Sequence, residues 1–206
     1  MPKPSHREKL LQVGLQVVHE RGFRGASVRD IVRAADVPQG SFTNHFASKE
    51  AFGLEVVERY AARTEALMRQ TLRNEGLAPL QRLRAFVAAS RAACSDSHAA
   101  GADDGPRNGC LLGNFSAEAN DCGEALRARV VDALAAMQDA LALCLRAAVQ
   151  AGEIAPSTDC DETAAFILAG LQGATLLAKV QRSPRALERF EHVLFARVLE
   201  RAAAVR

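Results

Sequence analysis

The sequence is poor in aromatic residues and in the cysteine patterns that build disulfide frameworks or zinc sites. Trp is absent and Tyr occurs once among 206 residues. The cysteines are odd in number and show no CxxC or other zinc-type spacing, which favours free thiols in a reducing compartment. They are Cys94, Cys110, Cys122, Cys144 and Cys160.

Signals for export, membrane insertion, metal binding and cofactor binding are also missing. The first twelve residues carry four charged side chains and no apolar run, so no secretory signal is predicted. No stretch approaches the roughly 18 apolar residues that span a bilayer. The five histidines are scattered without ligand spacing, and no Gly-rich phosphate loop occurs. We therefore predict a cytoplasmic protein with no metal, no cofactor and no membrane partner.

The residues that are present favour helices. Hydrophobic residues make up 49% of the chain, and they are mainly Ala, Leu and Val, of which Ala and Leu are strong helix formers. Apolar positions recur at helical spacing along nearly the whole chain, which predicts an all-α fold of about nine helices. The net charge is +2, yet residues 1–49 alone carry +4. A basic end on a mildly acidic body suggests that this end meets an anion.

Turn and cap residues divide the periodic chain into helices. Gly22 is the expected end of a first helix, and Ser27 with Asp30 forms a capping-box pattern for a second. Pro38 opens a third short helix, and Ser48 caps a long fourth one that runs to about residue 74. Later helices are expected at about 79–94, 110–119, 124–151, 161–180 and 184–204, with a loop over residues 95–109.

The segment from Ser27 to Lys49 has the design of a helix-turn-helix. A short helix, a three-residue turn and a second short helix place the second helix in the major groove of DNA. Val37, Phe42 and Phe46 are expected to face inward as its anchors. The outward residues supply base-edge hydrogen bonds, close backbone approach and a phosphate contact. In that order they are Gln39, Thr43 and Asn44, then Gly40 and Ser41, then Lys49.

At this point the sequence resembles a known family. The runs GFRGASVRDI (22–31) and AADVPQGSFTNHFASKE (34–50) resemble the signature of TetR-type repressors, with a dense match over residues 6–60. The resemblance implies DNA contacts by Ser27, Val28 and Arg29 at the entry to the motif, and by His45 beside Lys49. The family usually has Tyr at position 43, so Thr43 predicts a shorter contact with the DNA backbone.

The same resemblance implies two domains with different functions. Residues 1–48 would form the DNA-binding domain and residues 49–206 an effector-binding and dimerisation domain. A homodimer through about 161–204, where Gly170 and Gly173 permit close approach, would bind a palindromic double-stranded operator. A small-molecule effector would shift the fourth helix and release the DNA. The sequence leaves open whether binding represses or activates.

The C-terminal half is similar to the subgroup of N-ethylmaleimide- and electrophile-responsive repressors. The run GCLLGNFSAE (109–118) and Lys179 carry that similarity, which implies Cys110 as a chemical sensor. A position at a helix N-terminus would favour its thiolate. The alternative is an inert Cys110 beside an apolar pocket for a reversible ligand. Asn114 and Glu118 either line that pocket or satisfy helix ends.

Two other classes of protein, an enzyme and a helical scaffold, fit the sequence less well than a DNA-binding regulator. An enzyme with Cys110 as nucleophile would need a general base, and no histidine motif or paired carboxylates accompany the cysteine. A helical scaffold that binds protein would show the same periodicity. It would not explain Gln39, Thr43, Asn44 and Lys49 on the exposed side of one short helix. We therefore predict a regulator and no enzymatic activity.

Overall fold

The computed structural model describes residues 5–95 and 108–199, and within these ranges the chain forms nine α-helices and no β-strand. This confirms the predicted all-α class. The predicted loop over 95–109 and the predicted end of the last helix at 204 lie largely outside the described residues. The helices are α1 (His6–Gly25), α2 (Val28–Ala34), α3 (Ser41–His45), α4 (Lys49–Gln70), α5 (Pro79–Ser95), α6 (Leu111–Ala117), α7 (Glu124–Gln150), α8 (Cys160–Gln181) and α9 (Arg185–Val193). A 3₁₀ turn at Ala119–Asp121 follows α6, and a π-helical turn at Leu194–Val198 follows α9.

The chain packs into two compact units. Unit 1 comprises Met1–Ala62 and Leu111–Ala133, and unit 2 comprises Arg63–Cys110 and Leu134–Arg206. Each unit is therefore built from two separate stretches of sequence, and α4 and α7 each contribute to both. The predicted domain boundary between residues 48 and 49 stays a prediction, since compactness describes packing and not independent folding.

Local signals mark an interruption of α1 and the start of α2 at the positions that the sequence indicates, although α1 ends at Gly25 rather than at Gly22. Gly22 interrupts α1 with φ 78° and ψ 163°, a left-handed φ that a residue with a Cβ rarely adopts. One further helical turn follows it to Gly25. The Ser27 side chain accepts from the backbone N–H of Asp30, and the Asp30 carboxylate accepts from the backbone N–H of Ser27. This is the predicted capping box.

The start of α3 differs from the prediction. The helix begins at Ser41 and spans only five residues, whereas Pro38 was expected in its first turn. The backbone N–H of Ser41 donates to the carbonyl of Pro38 at 2.9 Å, which closes a turn over residues 38–41 before the helix starts. The Ser48 hydroxyl accepts from the backbone N–H of Ala51 at 3.1 Å, so the predicted cap of α4 is confirmed.

Aromatic rings fill the centre of unit 1. The rings of Phe42, Phe46 and Phe52 meet pairwise with centroids 5.0–5.3 Å apart. Gly14 lets α1 approach this group closely, because a Cβ at that position would overlap the Phe52 ring. The buried rings connect α3 to α4, so the short α3 is fixed by tertiary packing rather than by its own length.

Unit 2 has a mainly aliphatic core, in which Phe86 is also fully buried. Its fully buried side chains include Leu83, Leu141, Leu145, Ile154 and Ile167. The Asp159 side chain caps α8 by accepting from the backbone N–H groups of residues 161 and 162.

The two glycines expected to admit a second copy differ in their surroundings. A Cβ at Gly170 would come within 2.7 Å of the Phe190 ring, so that space serves packing between α8 and α9 of the same chain. Gly173 is open, with no atom within 4 Å of a Cβ built there. Of the two, Gly173 is the one that leaves room for a second molecule.

Helix α8 is unusually apolar for its exposure. It is the one helix in the described ranges that is long and apolar enough to cross a membrane, with mean hydropathy 1.5 and only 33% of that stretch buried. This differs from the prediction that no stretch approaches the length of apolar chain that spans a bilayer. Phe166, Leu176, Leu177 and Val180 on this helix are each more than half exposed.

Candidate nucleic-acid interface

Helix α3 presents an apolar side to unit 1 and a polar side to solvent. Phe42 and Phe46 are 2% and 3% exposed, which confirms their predicted inward direction. The predicted reading residues Gln39, Gly40, Thr43, Asn44 and His45 are all exposed. These five residues lie between positions 39 and 45, in the turn before α3 and on α3 itself. A helix of this size fits the major groove of DNA, which is about 12 Å wide. It can distinguish bases there only if its exposed side chains carry hydrogen-bond donors and acceptors that are not already engaged.

The exposed polar groups on α3 and in the turn before it differ in whether their hydrogen-bonding atoms are already engaged. The side chains of Gln39 and Asn44 have no hydrogen-bond partner within the described part of the chain, so both amides keep their donors and acceptors. The Thr43 hydroxyl donates to the Gly40 carbonyl at 3.1 Å. A Cβ added at Gly40 would meet nothing within 4 Å, so the backbone there is open to a large partner.

Two predicted contact residues are engaged within unit 1. Ser41 is buried, and its hydroxyl lies 3.3 Å from Nδ1 of His6 at the start of α1. The ammonium of Lys49 lies 4.8 Å from the centroid of the Phe23 ring and donates to the carbonyl of Arg24 at 3.3 Å. Both residues therefore hold the motif together, whatever they do toward DNA.

Most cations around the motif already have an acidic neighbour. Arg21 pairs with Asp30 at 2.9 Å, and Arg24 pairs with Asp121 at 2.8 Å. The donors on Ser27, with the Arg21 charge, hold the pKa of the Asp30 carboxyl below its ordinary value. Two cations on α2, Arg29 and Arg33, are exposed and have no ion-pair or hydrogen-bond partner among residues 5–95 and 108–199. Sequence reasoning had identified Arg29 and missed Arg33.

Ser27, at the start of the motif, caps the N-terminus of α2 together with Asp30. The hydroxyl of Ser27 donates to the Asp30 carboxylate at 2.5 Å and accepts from the Asp30 backbone N–H at 3.1 Å. Ser27 is exposed and Val28 is half-buried at the first turn of α2. The backbone N–H groups of this turn point toward the same end of the helix, where an anion is stabilised.

The predicted effector residues fall into two groups, and the first lies in unit 2. Cys110 is half-buried directly before α6, and Nε2 of Gln172 donates to its sulfur at 3.5 Å. Lys179 is half-buried two helical turns after Gln172, on the same side of α8. Sequence reasoning missed Gln172, because nothing in its local pattern points to a cysteine 62 positions earlier.

The second group lies in unit 1. Asn114 donates through Nδ2 to the backbone carbonyl of His19 at 3.3 Å. The carboxylate of Glu118 accepts from the backbone N–H groups of Phe23 and Arg24 at 3.1 and 2.7 Å. The structure therefore brings both side chains to the end of α1, which corresponds to the helix-end alternative of the two that the sequence leaves open; the sequence did not indicate which helix.

The other described thiols are poorly suited to react. Burial raises the pKa of the Cys144 thiol to about 11. Burial raises the pKa of Cys160 as well, and burial with the charges of Glu118 and Asp121 raises that of Cys122. Because the thiolate is the reactive form, these three thiols are weak nucleophiles. Nothing is described of the Cys94 side chain.

An apolar cleft lies between α8 and α9 on the surface of unit 2. Its volume is about 580 Å³, and its lining includes Phe166, Gly173, Leu177, Phe190 and Val193. Arg185 and Arg189 contribute positive charge to its walls. The cleft is continuous with the exposed apolar side of α8.

Comparisons with known proteins place the chain in one family over both of its parts. Residues 10–56 match the profile described as "Bacterial regulatory proteins, tetR family", and residues 79–194 match "Tetracyclin repressor-like, C-terminal domain". The HTH-type transcriptional repressor DhaR of Mycobacterium sp. (strain GP1) is 33% identical over 97% of this chain and 95% of its own. The repressor NemR of Escherichia coli K12 is 33% identical over 88% of each chain.

Solved structures show the same relationship. The regulatory protein TetR from Rhodobacter sphaeroides superposes with a TM-score of 0.83 at 30% identity, over 91% of this chain and 96% of its own. The reduced form of E. coli NemR superposes with a TM-score of 0.80 at 29% identity, over 97% of this chain and the whole of its own. The matches cover both compact units.

Proposed function

This chain belongs to the TetR family of bacterial regulatory proteins and is a DNA-binding transcriptional regulator rather than an enzyme, and on that premise we propose that α3 reads a palindromic operator to repress transcription. Gln39 and Asn44 read base edges, Thr43 offers its methyl group and Gly40 admits close approach. Ser27, Val28, Arg29, Ser41, His45 and Lys49 position the motif on the backbone.

The single observation that supports this assignment is the pair of unengaged amides, Gln39 in the turn before α3 and Asn44 on α3 itself. An amide that neither caps a helix nor satisfies a neighbour keeps both donor and acceptor for a base, and adenine offers the matching pair in the major groove. The rigid aromatic anchor beneath α3 means that little ordering is needed when DNA binds.

Substitution of these amides tests the assignment. We expect Gln39→Ala and Asn44→Ala each to weaken binding to the DNA segment upstream of the chain's own gene by about 1–3 kcal/mol. Gln150→Ala, an exposed amide on α7, is the matched control. Equal affinity of all three variants and the unmodified protein would contradict base reading by α3. Repression is tested separately with a reporter carrying that segment.

The unpaired cations of α2 give a second test, through salt. Each phosphate contact adds about 0.9 to the slope of log K against log salt concentration. We expect Arg29→Gln and Arg33→Gln each to lower that slope by roughly this amount. Arg21→Gln, which removes a cation already paired with Asp30, serves as the control and leaves the slope nearly unchanged.

Members of this family dimerise, and we propose that α8 and α9, over about 161–199 of the described residues, form the interface. The supporting observation is apolar surface that the chain itself leaves uncovered, on Phe166, Leu177 and Val180. Two copies related by a twofold axis would place their α3 helices in successive major grooves, about 34–36 Å apart. Light scattering at micromolar concentration tests this, and a monomer would refute it.

We further propose that an effector releases the operator and that Cys110 senses electrophiles. The effector acts by favouring a state, reached through α4, in which the two α3 helices no longer match the operator. The contact of Cys110 with Gln172, the position of Lys179 on the same side of α8, and the similarity to NemR support the sensor. With N-ethylmaleimide, the sulfur would bond to one alkene carbon and the thiol proton would pass to the other.

Release of DNA by N-ethylmaleimide, measured with and without Cys110→Ser, tests this sensor. Loss of the response in the variant supports it. An unchanged response contradicts it and favours a different thiol. A protein that ignores electrophiles but responds to an apolar ligand would support the alternative of a reversible pocket. The protein is expected to act in the cytoplasm, with residues 1–48 as its DNA-binding domain and residues 49–206 for effector binding and dimerisation.

A further inference from the structure

Phe23 and Arg24 form the α1–α2 joint, and the backbone N–H groups of both are capped by a side chain from a distant segment. Their backbone N–H groups follow the break at Gly22, so no preceding helical turn supplies their acceptors. The Glu118 carboxylate accepts from both, at 3.1 Å from Phe23 and 2.7 Å from Arg24. A side chain from a segment 94 positions later thus performs the role that a local Ser or Asp performs at other helix starts.

Gly22 is required for this arrangement. A Cβ at Gly22 would overlap Oε1 of Glu118, and the φ of 78° excludes most other residues independently. The break in α1 and the contact with Glu118 therefore both depend on a glycine at position 22.

Further groups converge on the same two residues. Lys49, the first residue of α4, donates to the carbonyl of Arg24 and covers the Phe23 ring. The Phe23 ring packs on Phe115 of α6, with centroids 5.4 Å apart. The Arg24 guanidinium pairs with Asp121 at 2.8 Å. The joint is consequently held by α6, by the 3₁₀ turn after it and by the start of α4.

The joint lies immediately before the DNA-binding motif. Only Gly25 and Ala26 separate Arg24 from Ser27, the cap of α2. The direction in which the chain leaves the joint therefore sets where α2 begins. Because α2 packs on α3, that direction also affects the exposed side of α3.

We propose that Glu118 is a positioning residue for DNA binding, which acts by fixing the α1–α2 joint in the direction that α3 needs on the operator. This rests on the operator-binding function proposed above. The contact is partly exposed, so water replaces the carboxylate when it is removed. The loss therefore falls mainly on the direction of the joint and only secondarily on stability.

Glu118→Gln and Glu118→Ala test this in the full-length protein. We expect Glu118→Ala to weaken operator binding by about tenfold, with an unchanged slope of log K against log salt, because no phosphate contact is lost. Glu118→Gln, which keeps one acceptor, falls between Glu118→Ala and the unmodified protein. Glu124→Ala removes a nearby acid that pairs only with Arg127 among the described residues, and it is the matched control.

A direct readout separates positioning from stability. The amide hydrogen exchange of Phe23 and Arg24 is expected to rise in Glu118→Ala while exchange in the buried part of α4 stays unchanged. Weakened binding with unchanged exchange at the joint overturns the proposal, as does faster exchange with unchanged binding. Exchange that rises throughout unit 1 also overturns it, because Glu118 would then be merely structural. If the unmodified protein binds no palindromic segment, the proposed function has failed rather than this inference.

Discussion

Units 1 and 2 are stabilised by different kinds of contact and expose different kinds of surface. Unit 1 combines a cluster of Phe rings with ion pairs between helices, such as Arg59 with Glu8 at 2.7 Å and Arg129 with Glu58 at 2.6 Å. Unit 2 has a mainly aliphatic core that also includes Phe86, and it leaves large apolar side chains exposed on α8. Among the described residues, unit 1 exposes few large apolar side chains, such as Val131 at 51%, and suits a polar, charged partner, whereas unit 2 exposes several and suits a second apolar surface.

Removal of one Phe from each unit is expected to show the largest contrast. Phe52 is fully buried and Phe166 is 55% exposed. We expect Phe52→Ala to lower the free energy of unfolding by about 3–5 kcal/mol and to abolish DNA binding. Phe166→Ala should leave helicity intact and weaken self-association instead. Urea unfolding with sedimentation measures both, and similar results for the two variants would remove the distinction between the units.

A charge on the exposed side of α8 is expected to have the next largest effect. Leu177 is 52% exposed within a single chain, so Leu177→Glu should leave the fold of the chain unchanged. In a dimer interface the carboxylate would be desolvated without a partner, and monomers should predominate at micromolar concentration. Sedimentation equilibrium measures this. Gln150→Glu, which places the same charge at an exposed position on α7, is the matched control.

Loss of the capping box should weaken unit 1 by a smaller amount. Ser27→Ala removes the acceptor for the Asp30 backbone N–H, which is expected to cost about 1 kcal/mol of stability. Ser27→Asp keeps an acceptor but places it beside Asp30, so its effect should be intermediate. Thermal unfolding followed by circular dichroism measures the difference. An unchanged midpoint in Ser27→Ala would show that water caps α2 equally well.

The smallest expected effect is on how the free energy of unfolding changes with pH, to which the ion pairs of unit 1 contribute. Hydrogen bonds from Arg129 hold the pKa of the Glu58 carboxyl below its ordinary value of 4.5. A carboxyl with a lowered folded-state pKa contributes stability above its ordinary pKa, and that contribution is lost as the pH falls through the folded-state value. Urea unfolding between pH 7 and pH 3 should therefore be less pH-dependent in Glu58→Gln. Glu75→Gln, an exposed acid without a partner in the described chain, should retain the full dependence.

The features that the sequence predicts well are those with local causes. Ser27 with Asp30, and Ser48, each act on residues within four positions, and the structure confirms both. Gly22 breaks α1 where its end is predicted, although α1 continues to Gly25. Phe42 and Phe46 are inward because their spacing places them on the side opposite the polar residues of α3. The helical class follows from the same periodicity.

The features that the sequence misses depend on distant residues. The hydroxyl of the buried Ser41 lies beside Nδ1 of His6, and Glu118 accepts from the two backbone N–H groups that follow the break at Gly22. Neither contact has a counterpart in hydrophobic spacing or helix propensity. The start of α3 was placed too early, since Pro38 suits the first position of a turn as well as that of a helix.

The discontinuity of unit 1 has a consequence for the order of events during synthesis. Its N-terminal stretch ends at residue 62, and its second stretch ends at residue 133. Translation at about 5–20 residues per second separates the emergence of these two points by roughly 4–14 s. During that interval Phe23 lacks Phe115, and the N–H groups after Gly22 lack Glu118. The nascent DNA-binding motif is therefore expected to complete its packing only after α6 and the first turns of α7 have left the ribosome.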